Sequence, residues 1–250
     1  MHTEYLAHYG VKGMKWGVRH DRDRSSYTLK KGYQIRRITS KQEAKKGTDL
    51  SRNFYASQNQ KDFDMYRTRL DDLPGAGAYH KNKQAKRIGL VTLSAVDDVT
   101  IAKGEKVLND ILKQYGNTSV STFFDEFGYG SEREKLGLKE KDSVNKILKS
   151  KKYDENTKKL VARQMVGDVL GSQDSTRWYN TGKKVETIEN PGKKLLDEYR
   201  KQGYDAIEDI EDQLAVGTNT FKPESPLLVI NGTKFKIDDK RTVKRKKLAN

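Results

Sequence analysis

Hydrophobic positions along this chain follow two periods in turn. From residue 27 to about 103 they tend to recur at every second position. "YQIRRITS" (33–40) and "NFYAS" (53–57) set aromatic and β-branched residues between Gly- and Lys-rich turns, which predicts short strands. "RIGLVTLSAV" (87–96) is the strongest of these, with Ile88, Leu90, Thr92 and Ser94 alternating against Gly89, Val91, Leu93 and Ala95. "DLPGAGAYH" (72–80) is broken by proline and glycine and is expected to be loop.

From about 104 to 202 the period becomes helical. "EKVLNDILKQYG" puts Val107, Leu108, Ile111 and Leu112 on one stripe and stops at Gly116. "SVSTFFDEFG" opens on Ser119, a cap-type residue, and "KDSVNKILKS" repeats the pattern with Val144, Ile147 and Leu148. "DENTKKLVARQMVGDVLG" carries Leu160, Val161, Met165 and Val169, with Asp154 as the expected N-cap and Glu155 in the first turn. "NPGKKLLDEYRKQG" starts at Pro191 and ends at Gly203. Strands return over 203–237 in "YDAIEDIED" and "PLLVINGTKFKI". The expected fold class is α+β: strands, a helical middle, strands again.

The two ends lack either period. The predicted organisation is an N-terminal segment at 1–26, one α+β domain at 27–237 with its helical region at about 104–202, and a basic, solvated tail at 238–250. Charge adds to this picture. The chain of 250 residues holds 50 Lys and Arg against 35 Asp and Glu, a formal charge of +15 that attracts polyanions such as nucleic acid. The absence of cysteine excludes disulfides, thiolate metal sites and thiol nucleophiles. The four histidines, at 2, 8, 20 and 80, have no i, i+4 pairing, so no metal is expected. No apolar run reaches the roughly 20 residues of a membrane span. The N-terminal stretch has no apolar signal region either, so the expected location is a host cytoplasm or a particle assembled there.

No phosphate-binding Gly-rich loop, dinucleotide fingerprint, nucleophile elbow or zinc-helix motif is present. What remains is sparse. Arg36 and Arg37 sit in an early strand, where alternation sends them to opposite faces, and a guanidinium on an inner face needs an anion. Ser57 ends the strand "FYAS". Asp209 and Glu211 in "AIEDIED" share one face if that stretch is a strand, with Tyr204, Ala206, Glu208 and Ile210 on the other. Bland readings compete with each: an ion pair for Arg37, a turn role for Ser57, and the wet face of an edge strand for the two acids.

An arginine on one strand, a serine ending a second and a spaced acidic pair on a third resembles the site of an ADP-ribosyltransferase. "YQIRRITS…NFYAS" followed by "GYDAIEDIED…SPLLVIN" is similar to phage proteins with that fold. The resemblance implies NAD as cofactor, Arg37, Tyr55 and Ser57 as its binding residues, and Arg37, Ser57, Asp209 and Glu211 as the catalytic group. In that chemistry the arginine meets a phosphate or ribose, the serine braces an acid, and the last carboxylate stabilises positive charge on the ribose. Here Ala56-Ser57-Gln58 departs from the usual Ser-Thr-Ser, and Asp209-Ile210-Glu211 from the usual Glu-x-Glu.

"YGVKGMKWGVRH" resembles a short tag found on proteins of bacteriophages, beside virion and head-associated proteins. Val11, Met14 and Trp16 supply apolar anchors, and Lys12, Lys15 and Arg19 steer toward an acidic partner. The resemblance implies docking to a virion or packaging component, with the basic tails adding affinity for nucleic acid and no membrane involved. The alternative function is a non-enzymatic phage structural or DNA-binding protein that keeps the fold.

Overall fold

Strand β2 (Gln34–Ser40) and strand β3 (Phe54–Ser57) lie side by side near the middle of one large sheet, and the rest of the fold is built around them. The computed structural model describes residues 25–46, 49–72, 87–125, 128–215 and 223–244. The other strands of that sheet are β1 (Ser26–Leu29), β4 (Arg87–Ala95), β5 (Val99–Ala102), β8 (Ala206–Glu208), β9 (Pro226–Val229) and β10 (Phe235–Lys244). Their order is β1-β5-β8-β9-β3-β2-β4-β10, and every pairing is antiparallel except β5 with β8. Helices α1 (Lys41–Lys46) and α2 (Gln60–Asp72) belong to the first, strand-rich half. The middle holds α3 (Gly104–Tyr115), α4 (Val120–Phe124), α5 (Gly130–Lys135), α6 (Val144–Lys149), α7 (Glu155–Gly171) and α8 (Pro191–Lys201). A separate hairpin of β6 (Thr176–Asn180) and β7 (Val185–Glu189) also lies there, and the four-residue α9 (Ile210–Gln213) follows β8. The protein is α+β, as the alternation of periods predicts.

Each face of the sheet has its own core. On one face Ala102, Ile207 and Leu228 pack with Val107 and Ile111 of α3, Val161 and Met165 of α7, and Leu196 and Tyr199 of α8. On the other, Leu29, Ile35, Phe54, Val91, Leu93, Ile101, Val229 and Phe235 form a core whose buried members all come from strands. Residues from both ends of the strand order meet in it, so the sheet coils around its own side chains, as a strongly twisted sheet does. Buried apolar residues on both faces explain why β4 is so apolar. Val91 and Leu93 enter the strand-only core, while Ile88 and Leu90 are covered by Phe63 of α2.

Local signals place several helix ends as expected. The Asp154 carboxylate accepts the Thr157 N–H at 2.7 Å and starts α7. Gly203, at φ 86°, ends the turn after α8, a conformation in which a side chain would be strained. Helix α3 has no capping side chain on Lys103; the Glu208 carboxylate, from β8, accepts the Gly104 N–H at 2.7 Å instead. That cap is invisible to a local reading because 104 residues separate the partners.

Three expectations need correcting. The basic tail does not begin at 238: β10 runs to Lys244, in register with β4 along its length, with a bulge between Ile237 and Asp239. Its charges read as a tail because an edge strand exposes much of its surface, and charge there discourages edge-to-edge association. The stretch 204–212 is not one long strand: β8 ends at Glu208, and Asp209 opens α9. The helical region is interrupted by the β6–β7 hairpin. Of the loop expected at 72–80, Asp72 closes α2 and 73–80 lie outside the described residues. Among the described residues, no helix is long and apolar enough to cross a membrane.

Candidate functional site

Strand register decides which early arginine faces which neighbours. Arg36 is the Cα partner of both Ser57 on β3 and Thr92 on β4, so it shares their face. That is also the face of Ile38, whose core contains Phe63 of α2. Arg37 points to the strand-only side with Ile35. Its guanidinium lies 5.1 Å over the ring of Phe54 and pairs with Glu43 of α1 at 3.0 Å. The bland reading of Arg37 therefore describes its surroundings, with the carboxylate on a helix rather than on a strand. Arg37 and the late acids lie on opposite sides of the sheet; Arg36 takes the position expected of Arg37.

The rest of the constellation gathers on the Arg36 face. Ser57 is buried at the end of β3, and Tyr55, two residues earlier on the same face, is 50% exposed. Helix α9 brings Asp209, Glu211 and Asp212 beside it. Dense surroundings, then the charges of Asp209, Glu211 and Asp212, push the Tyr55 phenol above its ordinary pKa. Tyr66 of α2 donates to Asp212 at 2.6 Å and closes the other flank.

The three acids have unequal surroundings. Asp209 is 4% exposed and caps α9, accepting the Glu211 N–H at 3.1 Å. Burial, then repulsion from Asp212 and Glu211, raises its carboxyl well above the usual range, against the pull of two backbone N–H groups of α9. The side chain of Glu211 is 35% exposed and reaches Arg163 of α7 at 3.8 Å. Its carboxylate lies on Gly167, where an added Cβ would stand 3.0 Å from the carboxyl carbon, so the glycine makes the seat possible. Glu208 faces the other way. Burial raises its pKa, and it is held by Gly104 and Tyr27, the latter also bonded to Gln58.

Asp205, in the "GYDA" stretch, is a fastener. Its carboxylate accepts from Thr100 N–H at 3.0 Å and Asn231 Nδ2 at 2.7 Å, tying β5 and the turn after β9 to the start of β8.

Sequence reasoning left Asp212 among the acids of 208–212 without singling it out, and passed over Tyr66, Arg163 and Gly167. The last two lie on α7, which reads as an ordinary packing helix, and no local pattern announces its contact with α9. Two guanidinium Nε groups, on Arg67 of α2 and Arg163 of α7, are shielded from water and have no hydrogen-bond acceptor. They are donors suited to phosphate oxygens. Among the described residues no group of three or more His, Asp or Glu converges to hold a metal ion. The chemistry available is a negative field beside a half-exposed tyrosine, suited to a developing cation, with one carboxyl poised to hold a proton.

The raised pKa of Asp209 has a sign that can be tested. A carboxyl whose folded pKa lies above its unfolded value favours the folded state below the unfolded pKa and loses that contribution as pH rises through the folded one. Asn caps as well as Asp does and carries no charge. Asp209→Asn is thus expected to be more stable than the natural protein at neutral pH, with the gain vanishing near pH 4. Urea unfolding at the two pH values measures this; a neutral-pH loss contradicts it.

The residues expected to dock a partner, Val11, Lys12, Met14, Lys15, Trp16 and Arg19, lie outside the described residues. No curated protein matches this chain. No solved structure matches it either. A family model described as a family of unknown function (DUF7211) matches residues 2–23, so the similarity found is confined to the segment that precedes β1 and contains all six residues expected to dock.

Proposed function

We propose that this protein is a phage-encoded ADP-ribosyltransferase-like enzyme that binds NAD on the helix-covered face of its sheet. One observation carries the reading: Arg36 and Ser57 are register partners on the face where half-exposed Tyr55 lies in the field of Asp209, Glu211 and Asp212. Arg36 meets the diphosphate. Tyr55 stacks against the nicotinamide. Glu211, the accessible acid, accepts the ribose 2′-hydroxyl and stabilises the oxocarbenium-like state. The glycosidic C–N bond breaks and nicotinamide leaves with the electron pair. An acceptor nucleophile then bonds to the anomeric carbon and gives its proton to a carboxylate of the trio. The segment at 1–26 docks the protein to a virion or packaging component, and the acceptor is a host molecule.

A second reading, a phage structural or DNA-binding protein keeping the fold without the chemistry, is favoured by one fact. Asp209 is buried and caps a helix, a role that needs no substrate.

Incubation with labelled NAD and host lysate separates the two. The enzyme reading expects transfer or NAD hydrolysis, reduced about a hundredfold in Glu211→Gln while NAD binding by calorimetry persists. Absence of NAD binding in the natural protein sinks the enzyme reading and leaves the second.

A further inference from the structure

We propose that the outer face of the β6–β7 hairpin binds single-stranded nucleic acid, with Trp178 as the residue on which a base stacks. The hairpin register puts Trp178 opposite Thr187, and Asn180 opposite Val185, on one face. Trp178 is 54% exposed and Val185 61%, the two most exposed large apolar side chains among the described residues.

This exposure is built into the fold. The inner face of the hairpin is anchored by Tyr179, 1% exposed, whose ring lies 4.8 Å from that of Tyr115 and 6.0 Å from that of Phe123. Its hydroxyl donates to Asp168 at 3.0 Å, and Arg177 pairs with the same carboxylate at 3.0 Å. Alternation then forces Trp178 outward. Rotating the ribbon to bury it would expel Tyr179 and separate the Arg177–Asp168 pair.

Charge around the hairpin turn selects the partner. Asn180 C=O accepts the Ser119 N–H at 2.6 Å, and Ser119 bridges Ser143, so the turn and the 139–143 loop stand at the same end. Internal pairs account for Lys184 with Glu186, Lys146 with Asp142, and Arg133 with Asp125 and Glu140. Lys139, Lys141 and Lys183 are exposed there with no carboxylate partner among the described residues, and Glu189 stands at the far end of the hairpin. A rigid exposed indole on a hairpin whose turn end carries these lysines is a combination that binds single strands: stacking on the base, Coulomb attraction to the phosphates. The apolar part, Trp178 with Val185, is too small for the core of a stable protein interface. A duplex hides its base faces.

The test uses the full chain carrying Trp16→Phe, so that Trp178 is the sole indole. An oligothymidylate of about 16 nucleotides is titrated in while Trp178 fluorescence is followed. Quenching is expected. Affinity, read for every variant from the anisotropy of a dye-labelled oligothymidylate, should fall about tenfold in Trp178→Ala and recover in Trp178→Phe. Lys139→Ala, Lys141→Ala and Lys183→Ala should together flatten the salt dependence by about two to three phosphate contacts. The proposal is overturned by no binding, by unchanged affinity in Trp178→Ala, by equal affinity for the matching duplex, or by quenching that tracks protein concentration without oligonucleotide, which would mark self-association. The NAD reading stands or falls separately, since none of these residues belongs to that site.

Discussion

Replacing Asp62 by alanine is expected to lower stability by about 3–5 kcal/mol. Asp62 is fully buried in the first turn of α2. Its carboxylate accepts the Glu224 N–H at 3.0 Å and the Ser225 N–H at 2.8 Å, holding the chain as it enters β9. β9 lies between β8 and β3, so this lead-in positions the strand that joins the arginine side of the sheet to the acid side. Alanine would leave two backbone donors without an acceptor in a site closed to water, and each such group costs about 1–3 kcal/mol. Asn keeps one accepting oxygen and should cost less than Ala. Urea unfolding gives the comparison. A loss below about 1 kcal/mol for Asp62→Ala would show that water replaces the carboxylate and that the lead-in is not fixed from α2.

Adjacent arginines should give opposite phenotypes. Arg37→Met removes an ion pair with Glu43 and the stacking over Phe54, a loss of about 1–2 kcal/mol in stability with NAD-dependent turnover retained. Arg36→Met should leave stability within about 0.5 kcal/mol and, on the proposed reading, reduce turnover about a hundredfold, since there the guanidinium facing Ser57 is the anion partner. Labelled-NAD assays and thermal melts on both variants decide it. Loss of turnover in Arg37→Met with Arg36→Met active would place the reaction on the strand-only face and overturn the assignment.

The choice between these two arginines rests on something the sequence does not carry. "IRRI" puts an isoleucine on each face of β2: Ile35 enters one core and Ile38 the other. A strand apolar on both sides gives alternation nothing to choose between, and only its neighbours' register breaks the tie. The acidic stretch misled differently. "YDAIEDIED" alternates like a strand through Glu208, then Asp209 caps a short helix, and an Asp able to cap is the local signal for that switch. Helix α2 went unread because its apolar stripe is thin: Phe63 is its one member of the buried core among the described side chains.

By itself the sequence determined the α+β class, the helices α3, α4, α6, α7 and α8 with the caps at Asp154 and Gly203, and the strands β2, β3, β4 and β9. These depend on periods of two and 3.6 and on turn residues, which act between near neighbours. Tertiary structure alone decided which arginine faces the acids, that Glu208 caps α3, that Asp62 fastens β9, that Glu211 sits on Gly167 beside Arg163, and that β10 is a strand. Each of these depends on a partner far along the chain, and the free energy that selects it comes from burial and register, which no local window contains.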